Sequence, residues 1–265
     1  MFVLVEYQLT RRFSDMAKAA MAVSPDTHAA GVIDATPEAL RYDWCSDDPA
    51  EVAGILRDLM PPHSRVLDIG CGTGAVTLAV NQGKNNDLWG IEPDPTRAAV
   101  ARSRGINVTC GTLDRNFLDS HAPFDTIMLA DVLEHIAAPG EFLEIALGAL
   151  KPGGLVLVSV PNVAHWTVRF GLLFGQFDHT ETGIRDATHL RWFTEKTIRQ
   201  LCQNCGLKVL SVRHSAGNDL PEYRSVLPWR LLPGRLRRPL VRSLTRMAPG
   251  LFACQHVLHT RLPTR

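Results

Sequence analysis

The feature that most limits what this chain can fold into is an alternation. Five short apolar, partly β-branched runs, RVLDIG (65–70), DLWGIE (87–92), INVTC (106–110), FDTIMLAD (124–131) and GLVLVSV (154–160), are separated by segments of helical character. The clearest of these are 74–82, 94–104 and 139–150, the last closed by KPGG. Strand and helix alternating at this spacing predict an α/β fold, a parallel sheet with helices on both faces. Strands buried on both sides need no polar alternation, which accounts for the run from Leu155 to Val160. LKVLSVR (207–213) supplies a sixth strand and LFACQHVLHT (251–260) a seventh. Upstream, DPAEVAGILRDLM puts Val52, Ile55, Leu56 and Leu59 on one helical face, with Asp48 as cap and Pro49 in the first turn. Residues 1–36 show no clean period and read as a variable lead-in; 37–265 read as one domain.

A chain of 265 residues can bury a sizeable core, and a formal charge of +1 predicts no strongly acidic or basic partner for the molecule as a whole. No apolar run approaches the roughly 18 residues that span a bilayer. The opening MFVLVEYQLTRRF carries Glu6 early and lacks the long apolar core of a signal peptide. Six scattered cysteines then read as reduced thiols of a cytoplasmic protein. Cys202 and Cys205 form a CxxC, but at a helix end with no second pair, so they read as packing residues. No metal-ligand set is recognised.

The stretch LDIGCGTG, Leu67 to Gly74, places glycines where a strand turns into a helix. Such a turn lets a ligand approach the backbone closely at the carboxyl ends of the strands. A P-loop is excluded, because no Gly-Lys-Ser/Thr follows at the required spacing. A nicotinamide site stays open, since Gly70, Gly72 and Ala75 satisfy the permissive Gly-x-Gly-x-x-Ala pattern. Asp68 favours S-adenosylmethionine: a carboxylate beside the loop repels a pyrophosphate but welcomes an α-ammonium group. Glu92, closing the second strand, suits the ribose of either ligand.

VLDIGCGTG followed by LWGIEPD resembles the first two motifs of class I S-adenosylmethionine-dependent methyltransferases. The resemblance continues through FDTIMLADVLEHI, ALGALKPGGLVLVSVPN and FDHTETGIRDATHLRWFT, covering roughly residues 40–215. It implies a Rossmann-like, doubly wound sheet of about seven strands, mostly parallel, with an antiparallel last strand. It also implies that Asp68, Gly70 and Gly72 line the methionine end of the cofactor and that Glu92 holds the ribose; Cys71 is grouped with these cofactor residues by its place in the loop, or reads as a small residue that fits it. Thr112 stands where an adenine-binding acid is often found, leaving that contact to Leu113 or Asp114, and Asp131 falls near the methyl group. The activity implied is methyl transfer to an oxygen of a small-molecule acceptor, a saccharide or lipid-linked glycan intermediate being the first expectation. The alternatives are an NAD-dependent oxidoreductase and a non-catalytic S-adenosylmethionine-binding protein.

Methyl transfer needs an aligned nucleophile, exclusion of water and, for a hydroxyl, a group that takes its proton. Asp131, Glu134 and His135 in ADVLEHI are candidates. The long aromatic-rich segment 161–194 reads as an active-site cover and contributes His189 as a base and Arg191 as a clamp. Against this, THLRWFT reads equally well as a packed elbow, with Arg191 paired to Asp186 and Thr194 capping the next helix with Thr197. The catalytic candidates are therefore His189, His135, Asp131 and Arg191.

Residues 221–250 form a basic insertion before the last strand. After Glu222 there is no Asp or Glu, while nine arginines follow. Leucines interleave with the arginines over 224–246, which suits a peripheral contact with an anionic membrane or lipid-linked substrate, a cap over the cleft, or a solvated surface helix. Pro228, Pro233, Pro239 and Pro249 are expected to interrupt any long helix here. No aromatic stacking platform accompanies the basic stretch, so no nucleic-acid partner is expected.

Overall fold

The computed structural model describes Asp43 and residues 45–264; the lead-in expected over 1–36 lies outside them. Seven strands form one sheet in the order β3-β2-β1-β4-β5-β7-β6. They are β1 (Arg65–Ile69), β2 (Asp87–Glu92), β3 (Asn107–Cys110), β4 (Phe124–Ala130), β5 (Leu150–Pro161), β6 (Lys208–Ser215) and β7 (Gln255–Arg261). The first five run parallel, and β7 lies antiparallel between β5 and β6. The chain winds outward from β1 to β3, then returns to place β4 on the other side of β1. That reversal opens the sheet's ligand crevice at the carboxyl ends of β1 and β4.

Helices α1 (Val52–Leu59) and α2 (Ala75–Asn81) cover one face. There Ile55, Leu56, Met60 and Val80 meet Met128, Leu157 and Val257 of the sheet. The helix α3 (Pro95–Ser103) between β2 and β3 lies on the same face, with Ala101 packed near Leu78 and Leu88, while the other face carries α4 (Arg115–His121), α5 (Pro139–Leu147) and α7 (Glu195–Asn204). Phe117, Leu143, Ala146, Ile198 and Cys202 pack there against Leu129, Val158 and Leu258. Fully burying one such large side chain stabilises the fold by roughly 1.5–3 kcal/mol. Cys202 is fully buried and burial pushes its thiol up to about 12, so it is an inert packing group.

A third cluster lies away from the sheet. Trp166 of α6 (Trp166–Leu173), Tyr223 of α8 (Glu222–Ser225) and Val241 of α9 (Gly234–Met247) pack together with Trp229 and with Phe252 of α10 (Pro249–Phe252). Among the described residues no helix is long and apolar enough to cross a membrane.

Four local expectations are corrected. KPGG does not close a helix: β5 starts at Leu150, opposite Phe124, and takes up the extra residues as an irregularity with Gly153 at φ +78°. Asp48 does not cap α1. Glu51 occupies that position, while Asp48 accepts from Ala50 N and pairs with Arg242 on α9. In the segment 251–254, residues 251–252 end a short helix and 253–254 are irregular, so the strand begins only at Gln255. Finally, Pro239 sits inside α9 without ending it, and the helix continues to Met247 with Val241 and Thr245 buried beneath it. The cap of α7 is as expected: Thr194 and Thr197 form a reciprocal capping box.

Candidate functional site

Where β1 ends, the chain turns through Gly70, Gly72 and Gly74 at φ +76°, +55° and +81°. A Cβ on Gly70 would stand 2.9 Å from Val132 Cγ2, and one on Gly74 would overlap Ile106. Packing therefore demands glycine at both. A Cβ on Gly72 would meet nothing within 4 Å, so this backbone faces open space, as a cofactor cradle requires. Thr73 steadies the loop: its hydroxyl donates to Asp43 Oδ1 at 2.5 Å, and Arg104 Nη1 donates to the Thr73 carbonyl at 3.0 Å.

Two carboxylates lie beneath this loop. Glu92 is buried and accepts from the backbone amides of Gly72 and Asp94, each at 2.9 Å. It thus ties the loop to the start of α3 while each oxygen keeps a further lone pair for a ligand hydroxyl. Asp68 is also buried and accepts from the Thr77 hydroxyl at 2.5 Å. Burial, with the charge of Glu92 adding to it, pushes the Asp68 carboxyl up to about 7, against the opposing Thr77 bond. No cation among the described residues pairs with either group, and a ligand carrying an ammonium charge fits that deficit.

Cys71, grouped with the cofactor residues from its place in the loop, turns its side chain inward. It packs with Ala101 and Ile106, and a Cβ on Gly90 would stand 2.5 Å from its sulfur. Only its backbone is left to face a ligand. Thr112 is exposed and Leu113 half-buried. Asp114 is engaged as the cap of α4, accepting from Phe117 N at 2.8 Å.

Asp131 follows β4 with φ +56°, a left-handed conformation uncommon for a residue with a side chain. Its carboxylate accepts from Ser159 Oγ and from Gln255 Nε2, each at 2.6 Å, and its amide donates to Ser159 Oγ at 3.0 Å. Desolvation raises its pKa, opposed by the Ser159 and Gln255 bonds. The strained backbone and three tethers aim Asp131 into a cavity of about 530 Å³. Its apolar wall includes Val52, Val76, Ile184 and Leu220; Thr180, Arg185 and Glu222 supply polar groups. Ser159 and Gln255 were not found by sequence reading. Gln255 reaches Asp131 across 124 residues of chain, and no local pattern marks such a partner.

His135, His189 and Arg191 do not line this cavity. Residues 188–191 instead clamp onto the turn at 133–135. The Glu134 carbonyl accepts from Leu190 N and Arg191 N at 2.7 and 2.9 Å, and Arg191 Nε donates to the Ala137 carbonyl at 2.8 Å. A packed elbow forms, but not with the expected pair: Arg191 is held on the Ala137 carbonyl, while the Asp186 carboxylate accepts from Thr188 N and Oγ1. Beside it the His135 and His189 rings meet edge to face at 4.9 Å. Burial, together with His135, lowers the pKa of His189. Glu134 is buried, both its carboxylate oxygens lack hydrogen-bond partners among the described residues, and its pKa is raised well above the ordinary range by burial and by Asp131. Ligand atoms of Glu134, His135 and His189 all lie within 4.8 Å of one another, a donor set able to hold a divalent cation. Sequence reading assigned no metal, because 54 residues separate His135 from His189. A second such group, Glu195, His214 and His256, lies where α7 begins.

The fold and the glycine cradle define a class, and the comparisons agree with it. The Methyltransferase domain family matches residues 38–212, and the chain belongs to this family, whose methyl donor is S-adenosylmethionine. Among curated proteins, the Ubiquinone biosynthesis O-methyltransferase of Rhodopseudomonas palustris is 27% identical over 159 residues, 58% of this chain and 60% of that protein. The protein of the same name from Caulobacter vibrioides is 34% identical over 107 residues, 37% of this chain and 40% of that one. The chain thus spans about three fifths of the first relative and two fifths of the second. Two solved structures share the fold. A SAM dependent methyltransferase from Archaeoglobus fulgidus has a TM-score of 0.55 at 16% identity, covering 79% of this chain and 92% of that one. The S-adenosylmethionine dependent methyltransferase from Mesorhizobium loti has a TM-score of 0.52 at 18% identity, covering 81% and 100%.

Proposed function

We propose that this protein transfers the methyl group of S-adenosylmethionine to a hydroxyl oxygen of a small molecule. The cofactor, when bound, supplies a methyl group activated by a sulfonium charge. Asp68 answers the ammonium group, Gly72 admits close approach, and Glu92 accepts from the ribose hydroxyls. Asp131 carries the reading: it lines the cavity, is followed in the chain by Val132, which packs on Gly70 of the glycine loop, and is held by Ser159 and Gln255. From there its carboxylate orients the acceptor hydroxyl and takes its proton as the oxygen becomes nucleophilic, a role its raised pKa suits. His189 and Arg191 pass from candidate catalysts to supports of the cover segment. The cavity's mixed lining fits an acceptor with an apolar body and a few hydroxyls. The names of the curated relatives support oxygen as the methylated atom, and both a phenolic ring and a saccharide or lipid-linked glycan meet this description. A cytoplasmic setting belongs to the same proposal, supported by all six cysteines being free.

The test is transfer of isotope-labelled methyl from S-adenosylmethionine to a panel of phenols, catechols and sugars. The wild type is expected to label at least one, and Asp131→Asn to lower the rate by about 100-fold, the scale of losing a general base. Tight binding of S-adenosylhomocysteine with no acceptor labelled across the panel would instead support the non-catalytic reading.

A further inference from the structure

Thirteen large apolar side chains are exposed among the described residues, and ten of them lie in two stretches, 170–174 and 226–247. Phe170, Leu172, Leu173 and Phe174 project from α6 and its end; the other six lie over 226–247. Both stretches belong to one lobe. Trp166 at the start of α6 packs on Tyr223, Trp229 and Val241, and Arg169 Nη2 donates to the Gly250 carbonyl at 3.1 Å. On α9 the buried side is Val241 and Thr245, while Leu236, Leu240 and Met247 fall within about 40° of one another on the outward face. Met247 and Leu173 are 79% and 75% exposed. Single exposed leucines are ordinary, but a concentration of this kind marks a contact surface.

The charge of the lobe says what it contacts. Asp219 is matched by Arg224 and Arg238, Asp48 by Arg242, and Glu222 lies 3.9 Å from Arg185. Among the described residues, Arg230, Arg235 and Arg246 are exposed and no carboxylate pairs with them. A second copy of the chain on this face would set arginine against arginine. A hydrophobic protein partner would leave those charges unanswered. An anionic bilayer takes both components: acyl chains receive the leucines and phenylalanines while lipid phosphates meet the guanidinium groups.

We infer that this lobe, α6 with the arginine-rich segment 226–247, docks the protein on an anionic phospholipid surface. The inference does not depend on which acceptor is methylated. It has a consequence for access, because Thr167 of α6 and Leu220 to Glu222 also wall the cavity beside Asp131. Docking would hold that cavity at the membrane, within reach of an amphiphilic acceptor.

The experiment is co-sedimentation of the full chain with vesicles of phosphatidylcholine alone and of phosphatidylcholine mixed with phosphatidylglycerol. The protein is expected to pellet with the mixed vesicles, to stay in solution with the neutral ones, and to be released in part by salt. Arg230→Glu with Arg235→Glu is expected to weaken binding by at least tenfold, since each arginine lost near such a surface costs roughly fivefold. Leu173→Ser with Phe174→Ser should weaken it comparably. All four positions are exposed, and calorimetric binding of S-adenosylhomocysteine, expected to be unchanged, separates loss of docking from loss of the fold. Failure to pellet with anionic vesicles overturns the inference. So does equal binding to both vesicle types, or a dimer in solution that these same variants dissolve.

Discussion

The two halves of the site are built differently. The cofactor half draws on Asp68 to Thr77 and Glu92 to Asp94, short stretches joined by one strand pairing between β1 and β2. The acceptor half draws on Asp131, Ser159, Gln255, the turn at 180–185 and the lobe beyond residue 216, brought together only by the assembled sheet. The first is electrostatically unfinished, with two buried acids and no cation among the described residues paired with them. The second is tethered at one residue and open to variation around it. A methyl donor common to many reactions calls for a fixed cradle, whereas acceptors differ, and long segments after the fifth strand can change without disturbing the sheet.

The sharpest way to break this contrast is Asp68→Asn. If the cradle's function is to supply uncompensated charge, this variant should lose at least 100-fold in S-adenosylhomocysteine affinity, read by calorimetry. It should also melt no lower than the wild type at pH 8. The sign follows from the carboxyl's rise to about 7: ionising it costs folding free energy between its unfolded value near 4 and about 7, and the neutral amide avoids that cost. A large drop in melting temperature with intact binding would mean Asp68 is a structural group.

Gln255→Leu probes the other half. It removes the bond to Asp131 Oδ2 from a residue on β7, and is expected to lower the methylation rate by about tenfold while cofactor affinity changes less than threefold. Equal loss of both would show that the halves are one mechanical unit. The smallest effect is a pH dependence. Because Asp68 must be ionised to meet an ammonium group and titrates near 7 in the free protein, cofactor affinity should rise severalfold from pH 6 to 8 and then level off. A flat profile for the wild type would place the ammonium group elsewhere.

The glycine loop was legible because its turn chemistry is local. Gly70, Gly72 and Gly74 mark a tight turn of positive φ, and Asp68 and Glu92 sit at strand ends that apolar runs reveal, although the side chains that force glycine at 70 and 74, Val132 and Ile106, come from elsewhere in the chain. The capping box at Thr194 and the packing role of Cys202 were legible for the same reason. Arg191 was not: its residue type suggests an anion clamp, yet the elbow's backbone bonds to Glu134 carry its guanidinium to the Ala137 carbonyl. Asp48 was misplaced as a cap because its partner, Arg242, lies 194 residues away.

The sequence by itself determined the alternating architecture, the cradle and its acids, because periodicity and turn chemistry act over a few residues. Only the tertiary structure decided which residues stand at the acceptor end. Asp131 becomes a held, cavity-facing group through Ser159 and Gln255, two residues on strands that follow it in the chain. The scattered leucines and arginines of the C-terminal third become a surface only once α6 and α9 pack on Tyr223. Such contacts join residues far apart in the chain, and their geometry is fixed by the sheet order and by burial, neither of which a spacing of residues records.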